Sequence, residues 1–271
     1  MKANVAAATD IGLVRDHNED AYLVEDPLYV VADGMGGHLG GEVASATALE
    51  TVGAVVADEG IEALADSVRR ANKAVYDRQV GDAEVAGMGT TLTAVALQGS
   101  QLHVAHVGDS RAYLLRGGTL EMLTQDHSLV GEMMREGSLT EAQARVHPRR
   151  STLTRALGIA GEVTVDTPEV PVQGGDRILL CSDGLSGMVE DPRLQEILRN
   201  EPDPERACAA LIAEANANGG VDNITTVIVD LISEEGDNPA PVETGPAETE
   251  PSEPGLPSEE RGWLRRLLKK K

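Results

Sequence analysis

Aspartates stand next to apolar, strand-like runs at several separate places in this sequence, and that placement constrains the fold more than any other feature. Two such runs each lead into an Asp-Gly pair, at Asp33-Gly34 and at Asp183-Gly184. Asp109 follows a third run, and Asp222 precedes the last one. Carboxylates that meet at strand ends repel one another unless a positive charge neutralises them. Together these acids predict a site of oxygen ligands, of the kind that suits Mg²⁺ or Mn²⁺.

Each of these motifs has a simpler explanation when it is taken alone. An Asp-Gly pair is usually a turn, because both residues tolerate turn geometry. Asp109-Ser110-Arg111 would be a surface turn with a local ion pair, and Asp222-Asn223 would cap a loop. Four separate turns do not explain why each acid lies beside an apolar run. The recurrence therefore favours one shared site.

Charge and composition exclude several classes of protein. The 271 residues carry 45 acidic and 23 basic side chains, a net charge of −22. This argues against a nucleic-acid partner, which would need a basic surface. The two cysteines make neither a disulfide framework nor a zinc-binding spacing, as is typical of a reducing cytosol. No signal-peptide segment and no membrane-spanning apolar run are found, so we expect a soluble, cytoplasmic protein.

The distribution of charge predicts the domain organisation. Residues 233–260 contain nine acids, six prolines and no bases, a composition that is typical of a disordered linker. Residues 261–271 contain six bases and no acids. We therefore expect one folded domain over residues 1–232, followed by an acidic linker and a basic tail.

The basic tail has an amphipathic pattern. On a helical wheel, Trp263, Leu264, Leu267 and Leu268 lie on one side and the basic residues lie on the other. Such a segment suits peripheral contact with an anionic membrane through residues 261–271, at the inner face of the cell membrane. Two alternatives stay open: a solvated basic end, and an arm that folds back on the linker or the catalytic mouth.

The periodicity of apolar residues predicts strands and helices in a definite arrangement. Strands are predicted at residues 20–25, 28–32, 91–97, 101–107, 111–116, 119–124, 162–170, 176–182 and 224–232. Helices are predicted at residues 41–58, 61–79, 127–136, 140–147, 191–199 and 204–217. Gly117-Gly118 indicates a hairpin, and Asp203 with Pro204 indicates a helix start. Hairpin-length links and paired helices favour two stacked antiparallel sheets with helices packed outside.

The motifs that carry these acids also occur, in this order, in a known family. They are R-D-H-N-E-D at 15–20, D-G-M-G-G-H at 33–38, M-G-T-T at 88–91, G-D-S-R at 108–111, D-H-S at 126–128, H-P at 147–148, L-T-R-A-L-G at 153–158, S-D-G-L at 182–185 and D-N-I-T at 222–225. From about Thr9 to Leu231 the chain resembles the bacterial form of the metal-dependent (type 2C, PPM family) protein Ser/Thr phosphatases. The resemblance implies an α+β fold, a four-layer αββα sandwich in which helix pairs flank two antiparallel sheets.

The resemblance also implies which residues would bind metal. Two Mn²⁺ or Mg²⁺ ions per chain are expected, the first of them held by Asp33, Asp183 and Asp222. The second ion would share the Asp33 carboxylate and take the Gly34 carbonyl, with Glu19 close by or acting through water.

Further positions follow from the same resemblance. Bacterial members often bind a third ion, which here would lie at Asp109 and be shared with Asp183. Asp20 and Asn223 would orient the metal ligands. Residues 131–161 would form the variable flap beside the site.

The implied reaction is hydrolysis of phosphoserine and phosphothreonine by direct attack of a hydroxide that bridges two ions. Asp33 and Asp183 would be catalytic because they hold those ions, and Arg15 would clamp the substrate phosphate with its guanidinium group. His38 is the candidate proton donor to the leaving oxygen; its alternative is a structural hydrogen bond to a carboxylate. The expected partners are phosphorylated proteins, with a Ser/Thr kinase and its substrates among them. We expect the chain to act as a monomer.

The remaining histidines and a cysteine have structural interpretations. His17 is expected to be structural or exposed, and His103 and His106 to occupy core or strand-face positions. His127 is expected to make a local hydrogen bond at a helix start, and Cys181 to be a small buried apolar residue.

Two rival functions use the same features. A catalytically silent phosphoprotein or metal sensor would keep the fold, but the intact acidic motifs and Arg15 argue against it. A nuclease would share a two-metal site, but the charge of −22 and the lack of a basic or aromatic platform argue against it.

Overall fold

The computed structural model describes residues 1–36 and 39–233, which contain most of the predicted domain. Three predicted features lie outside the described residues: His38, the part of the predicted acidic linker from residue 234 onward, and the predicted basic tail. None of the helices in the described part of the chain is both long and apolar enough to cross a bilayer.

The described residues form eleven strands and seven α-helices. The strands are β1 (Lys2–Asp10), β2 (Asp20–Glu25), β3 (Leu28–Met35), β4 (Gly89–Thr90), β5 (Leu92–Gln98), β6 (Gln101–Val107), β7 (Arg111–Arg116), β8 (Thr119–Met122), β9 (Glu169–Pro171), β10 (Arg177–Cys181) and β11 (Ile224–Ile232). The helices are α1 (Gly40–Glu59), α2 (Leu64–Gly81), α3 (Leu129–Arg135), α4 (Glu141–Arg145), α5 (Asp183–Ser186), α6 (Asp191–Asn200) and α7 (Pro204–Ala217).

The strands form two antiparallel sheets, which confirms the predicted fold class. One sheet has the order β1-β11-β10-β7-β8, and the other has the order β2-β3-β5-β6-β9, with β4 paired to β3. Along β3, Val30 and Ala32 face a core shared with α1 and α2, whereas Tyr29 and Val31 face the core between the sheets. This alternation follows from the two-residue period of a strand.

A third core completes the sandwich on the opposite side. Ile224 and Ile228 of β11 pack with apolar side chains of α6 and α7, such as Leu194 and Leu211. Val227 and Val229, the alternate residues of the same strand, belong to the core between the sheets. The layers are therefore helix pair, sheet, sheet and helix pair.

Most predicted elements are confirmed within one to three residues. The hairpin at Gly117-Gly118 joins β7 to β8. The Asp203 carboxylate accepts hydrogen bonds from the backbone N–H groups of Glu205 and Arg206 and caps α7 as expected. The predicted helix at 61–79 starts with a short 3-10 turn at 61–63, before α2.

The predicted strand at 162–170 is wrong except at its end. Only Glu169–Pro171 is a strand, and upstream a single isolated bridge joins Asp166 to His106. Pro168 has no N–H for a ladder, and the Asp166 side chain is bound to His127 and Arg155. The alternating valines still reach the core, because Val165 is buried.

Strand β1 has no counterpart among the predicted strands. Its sequence is rich in alanine, with only two β-branched residues, Val5 and Thr9, and no aromatic residue, so few of its residues favour a strand. Its pairing with β11 over nine residues holds it in the sheet.

A buried ion pair fixes the end of the first sheet that lies away from the acidic motifs. Arg177 of β10 donates from Nε and Nη2 to the Asp230 carboxylate of β11, at 2.5 and 2.7 Å. The same guanidinium donates to the backbone carbonyls of Leu198 in the last turn of α6 and of Glu201 and Pro202 just after it. The side chains of Arg177 and Asp230 are only 8% and 20% exposed.

Replacing Asp230 by alanine should therefore destabilise the fold strongly. Asp230→Ala leaves a buried guanidinium without its counter-ion and should lower the free energy of unfolding by about 3 kcal/mol. The control, Glu196→Ala, removes an exposed pair with Arg193 and should cost less than about 1 kcal/mol. Urea unfolding followed by circular dichroism measures both. If both variants lose the same free energy of unfolding, the buried pair stabilises the fold no more than the exposed one.

Candidate metal centre

The acidic motifs meet at one edge of the two sheets. Asp20 opens β2 and lies opposite Asp33 near the end of β3 in the antiparallel register. Asp183 follows β10 at the first position of α5, and Asp222 lies two residues before β11. Asp109 follows β6. Antiparallel pairing thus brings the end of one strand beside the start of the next, as the sequence predicted.

The charges of these acids act on one another. Burial raises the pKa of Asp33 well above its ordinary value, and the charges of Asp20, Asp183, Asp109 and Asp222 raise it further. Burial raises the pKa of Asp109 in the same way, with a contribution from Asp183. The structure therefore brings the predicted ligands Asp33, Asp109, Asp183 and Asp222 into electrostatic range.

The raised pKa values of Asp20 and Asp183 lie within the pH range of ordinary titration. Burial raises the pKa of Asp20 to about 7, although a hydrogen bond from Ser182 favours the charged form. Burial and the charge of Asp222 raise the pKa of Asp183 to about 6, against a hydrogen bond shared with Asp33. Without cations, the folded protein holds protons at this edge that an unfolded chain would release.

Arg15 lies at this edge, where it is bonded to Asp222. Its Nη2 donates to Asp222 Oδ2 at 2.6 Å, and the two side chains are 48% and 30% exposed. The hydrogen bond to Asp222 raises the pKa of Arg15, with smaller contributions from Glu19 and Asp33. Arg15 is thus the local counter-charge of a predicted metal ligand.

Glu19 and Gly34 are joined through their backbones. The Gly34 N–H donates to the Glu19 carbonyl at 3.2 Å, and Ser45 Oγ of α1 donates to the same carbonyl at 2.7 Å. A Cβ at Gly34 would collide with the backbone carbonyl of Gly41, so only glycine permits this approach of α1 to β3. Glu19 Oε1 is buried and has no hydrogen-bond partner within the described residues.

The Asn223 side chain joins several loops at this edge. Its Oδ1 accepts from the Glu19 N–H at 2.8 Å, and its Nδ2 donates to the carbonyls of Ile11 and His17 at 3.0 and 2.9 Å. Its own N–H donates to Asp222 Oδ1 at 2.9 Å. Asn223 thus connects the predicted ligands Glu19 and Asp222 with the loop that carries Arg15.

Ser182 connects Asp20 of β2 to strands β10 and β11 of the other sheet. Ser182 Oγ donates to Asp20 Oδ2 at 2.7 Å and accepts from the Thr225 N–H at 2.9 Å. Asp20 Oδ1 is buried and, in the described part of the chain, has no partner. Ser182 is therefore a positioning residue that the sequence analysis did not identify.

The threonines of the M-G-T-T motif also position the acids, a role that sequence reasoning missed. Thr91 Oγ1 accepts from the Asp33 N–H at 3.0 Å and lies 2.6 Å from Ser110 Oγ. Thr90 Oγ1 donates to the Asp33 carbonyl at 2.9 Å. The position of Thr-Thr just before an apolar strand was the available signal, but nothing local shows that β5 lies beside β3.

The G-D-S-R motif is not a surface turn with a local ion pair. Asp109 is 9% exposed, and Arg111 donates from Nε and Nη2 to Asp126, at 2.9 and 2.7 Å. The partner of Arg111 is thus fifteen residues away, in the D-H-S motif.

The prediction for His127 is wrong, because its partners are remote. His127 Nδ1 accepts from the Gly108 N–H at 3.0 Å, so Nε2 carries the hydrogen and donates to Asp166 at 3.1 Å. The other side chains behave as expected. His17 is exposed, His106 and Cys181 are fully buried, and His103 lies on a strand face near Glu169.

A cavity of about 110 Å³ adjoins the acids on the side of the predicted flap. Asp109 and Asp183 line it, together with residues of α3 and α4 and with Ser186 and Gly187. Arg145 of α4 donates to the Ser186 carbonyl at 3.3 Å and so ties the flap to α5. This cavity has room for part of a substrate beside the acids.

The residues present fit divalent cations. Their side-chain donors are carboxylate oxygens, which are the ligands of Mg²⁺ and Mn²⁺, and two of these oxygens are buried without a partner. Among residues 1–36 and 39–233, no three acidic, histidine or cysteine side chains yet stand as a complete ligand set. Asp222 is engaged by Arg15, and Asp33 shares a hydrogen bond with Asp183. In this arrangement two of the predicted ligands are therefore bonded to other side chains of the site.

Comparisons with known proteins place this chain in a family. The family model of Protein phosphatase 2C matches residues 15–223. The serine/threonine phosphatase stp of Listeria monocytogenes is 42% identical over 235 residues, which cover 82% of this chain and 93% of that protein.

Solved structures give the same result. The crystal structure of the Mycobacterium tuberculosis serine/threonine phosphatase PstP has a TM-score of 0.81 at 40% identity, over 85% of this chain and 99% of that one. The catalytic domain of PstP in complex with two manganese ions has a TM-score of 0.77 at 38% identity, over 85% and 99% of the two chains.

The repulsion among the acids predicts an unusual effect of Asp183→Asn. Because the pKa of Asp183 is raised to about 6 in the folded state, from about 3.9 in an unfolded chain, the metal-free fold loses stability as pH rises from about 4 to 6. At pH 8, the neutral asparagine should raise the free energy of unfolding of the metal-free protein by about 1–2 kcal/mol. Thermal unfolding in EDTA measures this change.

The same variant should lose the stabilisation that Mn²⁺ provides. A ligand at a hundred times its Kd adds about 2.7 kcal/mol to a folded protein that binds it. The control, Asp77→Asn, alters an exposed pair with Lys73 and should keep that gain. A variant that is less stable than wild type in EDTA, with an unchanged gain from Mn²⁺, would contradict the placement of Asp183.

Proposed function

The chain belongs to the protein phosphatase 2C family, and we propose on that basis that the acidic edge of its sheets is the catalytic site. The protein is a metal-dependent protein serine/threonine phosphatase that uses Mn²⁺ or Mg²⁺. The observation that carries the assignment to this edge is the convergence of five mutually repelling carboxylates beside Arg15.

The oxygens that would hold the metal ions are those of the predicted set. Asp33, Asp183 and Asp222 would bind the first ion, and Asp33 with the Gly34 carbonyl and Glu19 would bind the second. The buried, unpartnered Glu19 Oε1 supports this role. What divalent ions supply at such a site is Lewis acidity towards phosphoryl oxygens and a water of lowered pKa.

Asp109 would hold a third ion together with Asp183. The charge of Asp183 contributes to the raised pKa of Asp109, which supports a shared cation. Asp20 and Asn223 would orient the ligands through their hydrogen bonds to Ser182 and to Glu19.

Arg15 would bind the phosphate of the substrate. Its guanidinium is half exposed, and only Nη2 donates to Asp222 within the described residues. The remaining N–H donors suit two phosphate oxygens, whose charge they would offset as the bond to serine or threonine breaks. His38 would give a proton to the leaving oxygen; its motif, D-G-M-G-G-H, supports this role.

Hydrolysis of p-nitrophenyl phosphate with Mn²⁺ tests the site directly. EDTA should abolish the activity, and Asp33→Asn should lower kcat at least about a hundredfold, because it weakens a ligand shared by two ions. Arg15→Ala should raise KM and lower kcat/KM, because one phosphate contact is lost. Near-normal turnover of Asp33→Asn, with Asp77→Asn as the matched control, would contradict the assignment.

The substrates are phosphorylated proteins, as in the Ser/Thr kinase signalling in which such phosphatases act. We propose a Ser/Thr kinase and its substrates as the partners, and a monomer as the acting form. We also propose that residues 261–271 bring the enzyme to the anionic inner face of the cell membrane. The separation of apolar and basic residues in that segment supports this, because each basic residue near an anionic surface adds about 1 kcal/mol of attraction.

Vesicle sedimentation with and without residues 261–271 tests the membrane contact. The full chain should sediment with anionic vesicles and not with neutral ones, and it should do so less at high salt. The truncated chain should remain in the supernatant. If vesicles bind neither form and truncation instead raises phosphatase activity, the tail is an autoinhibitory arm.

A further inference from the structure

Large apolar side chains are exposed on two adjoining loops beside the site. In the loop between β1 and β2, Ile11 is 38%, Leu13 68% and Val14 64% exposed, and Val221 in the loop before β11 is 40% exposed. We call these four side chains the apolar patch. Single exposed apolar residues are common on protein surfaces, but a group of them marks a binding surface.

The backbone beneath the apolar patch is fixed at several points. The Leu13 N–H donates to the Gly220 carbonyl at 2.7 Å, and Asn223 Nδ2 donates to the Ile11 carbonyl at 3.0 Å. Gly12, at a φ of +80°, lies against the backbone carbonyl of Asp222, where a Cβ has no room. The two loops therefore present the apolar side chains on a rigid base, which lowers the entropy lost on binding.

The apolar patch is continuous with the proposed phosphate contact. Val14 directly precedes Arg15, and Val221 directly precedes Asp222. The Arg15–Asp222 hydrogen bond of 2.6 Å joins the same two loops. A peptide whose phosphate reached Arg15 would place its neighbouring residues within reach of these side chains.

We propose that the apolar patch binds an apolar side chain of the phosphoprotein substrate, within about three residues of the phosphoserine or phosphothreonine. This inference rests on the proposed phosphatase function and adds a substrate preference to it. Leu13 and Val14 are then specificity-determining residues. In the described part of the chain no core covers their side chains, so they are available to a partner outside the fold.

The test uses three phosphothreonine peptides and p-nitrophenyl phosphate, with full-length enzyme and Mn²⁺. One peptide has leucines before the phosphothreonine, one has leucines after it, and one has serines on both sides. Each rate is expressed as kcat/KM relative to that for p-nitrophenyl phosphate, which reports the phosphate site by itself. In the double variant Leu13→Ser/Val14→Ser, this ratio should fall about tenfold for at least one leucine peptide and stay within about twofold for the serine peptide.

A matched control comes from an equally exposed apolar residue elsewhere. Val80 on α2 is 70% exposed, and its serine variant should leave every ratio unchanged. An unchanged ratio in Leu13→Ser/Val14→Ser would overturn the proposal. An equal loss for every substrate, p-nitrophenyl phosphate included, also leaves the ratios unchanged and overturns it, since the patch would then support Arg15 without contacting the peptide.

Two further results would also overturn it. If the double variant alters sedimentation from dimer to monomer with every ratio unchanged, the patch is a self-association surface. If wild-type enzyme hydrolyses none of the substrates, the proposed function itself fails, and that failure is distinct from an active enzyme without peptide preference.

Discussion

The repulsion between acids at one edge of the sheets is the constraint on which the rest of the structure depends. Two like charges 4 Å apart repel by about 4 kcal/mol even at an effective dielectric constant near 20. The fold relieves part of this by raising the pKa of Asp33, Asp109 and Asp183, so that protons take the place of cations. Arg15 relieves another part through its bond to Asp222. Such repulsion lowers the stability of the metal-free protein and would be relieved by bound cations.

The neighbouring residues hold Asp33 and Glu19 through backbone groups. Asp33 is fixed through its backbone N–H by Thr91, and Glu19 through its backbone by Asn223 and Ser45. Within the described residues, one oxygen of the Glu19 carboxylate has no hydrogen-bond partner. Rigid backbone positions combined with free carboxylate oxygens are what a metal site requires, because the ligands must be close together yet available.

The sequence predicted the layers and the identity of the acids, because both depend on local patterns. The predicted helix at 41–58 matches α1, and each predicted aspartate lies beside the expected strand. It did not predict the pairing of Arg15 with Asp222, which are 207 residues apart, or the remote partners of His127. Such contacts depend on which strands become neighbours, and no periodicity within one segment records that order. Strand β1 was missed for a related reason, since its pairing with β11 outweighs its weak strand propensity.

The Arg15–Asp222 pair joins a predicted metal ligand to the proposed phosphate contact. A guanidinium and a divalent cation are alternative partners for one carboxylate, and Asp222 cannot give its full charge to both. A cation held by Asp222 would free the donors of Arg15 for a substrate phosphate, whose negative charge would replace that of Asp222. The loops that hold this pair are fixed by Gly220 and Asn223, so such an exchange would need only side-chain movement. Metal binding and phosphate binding would thereby be linked through a single salt bridge, and the apolar patch lies on the same two loops.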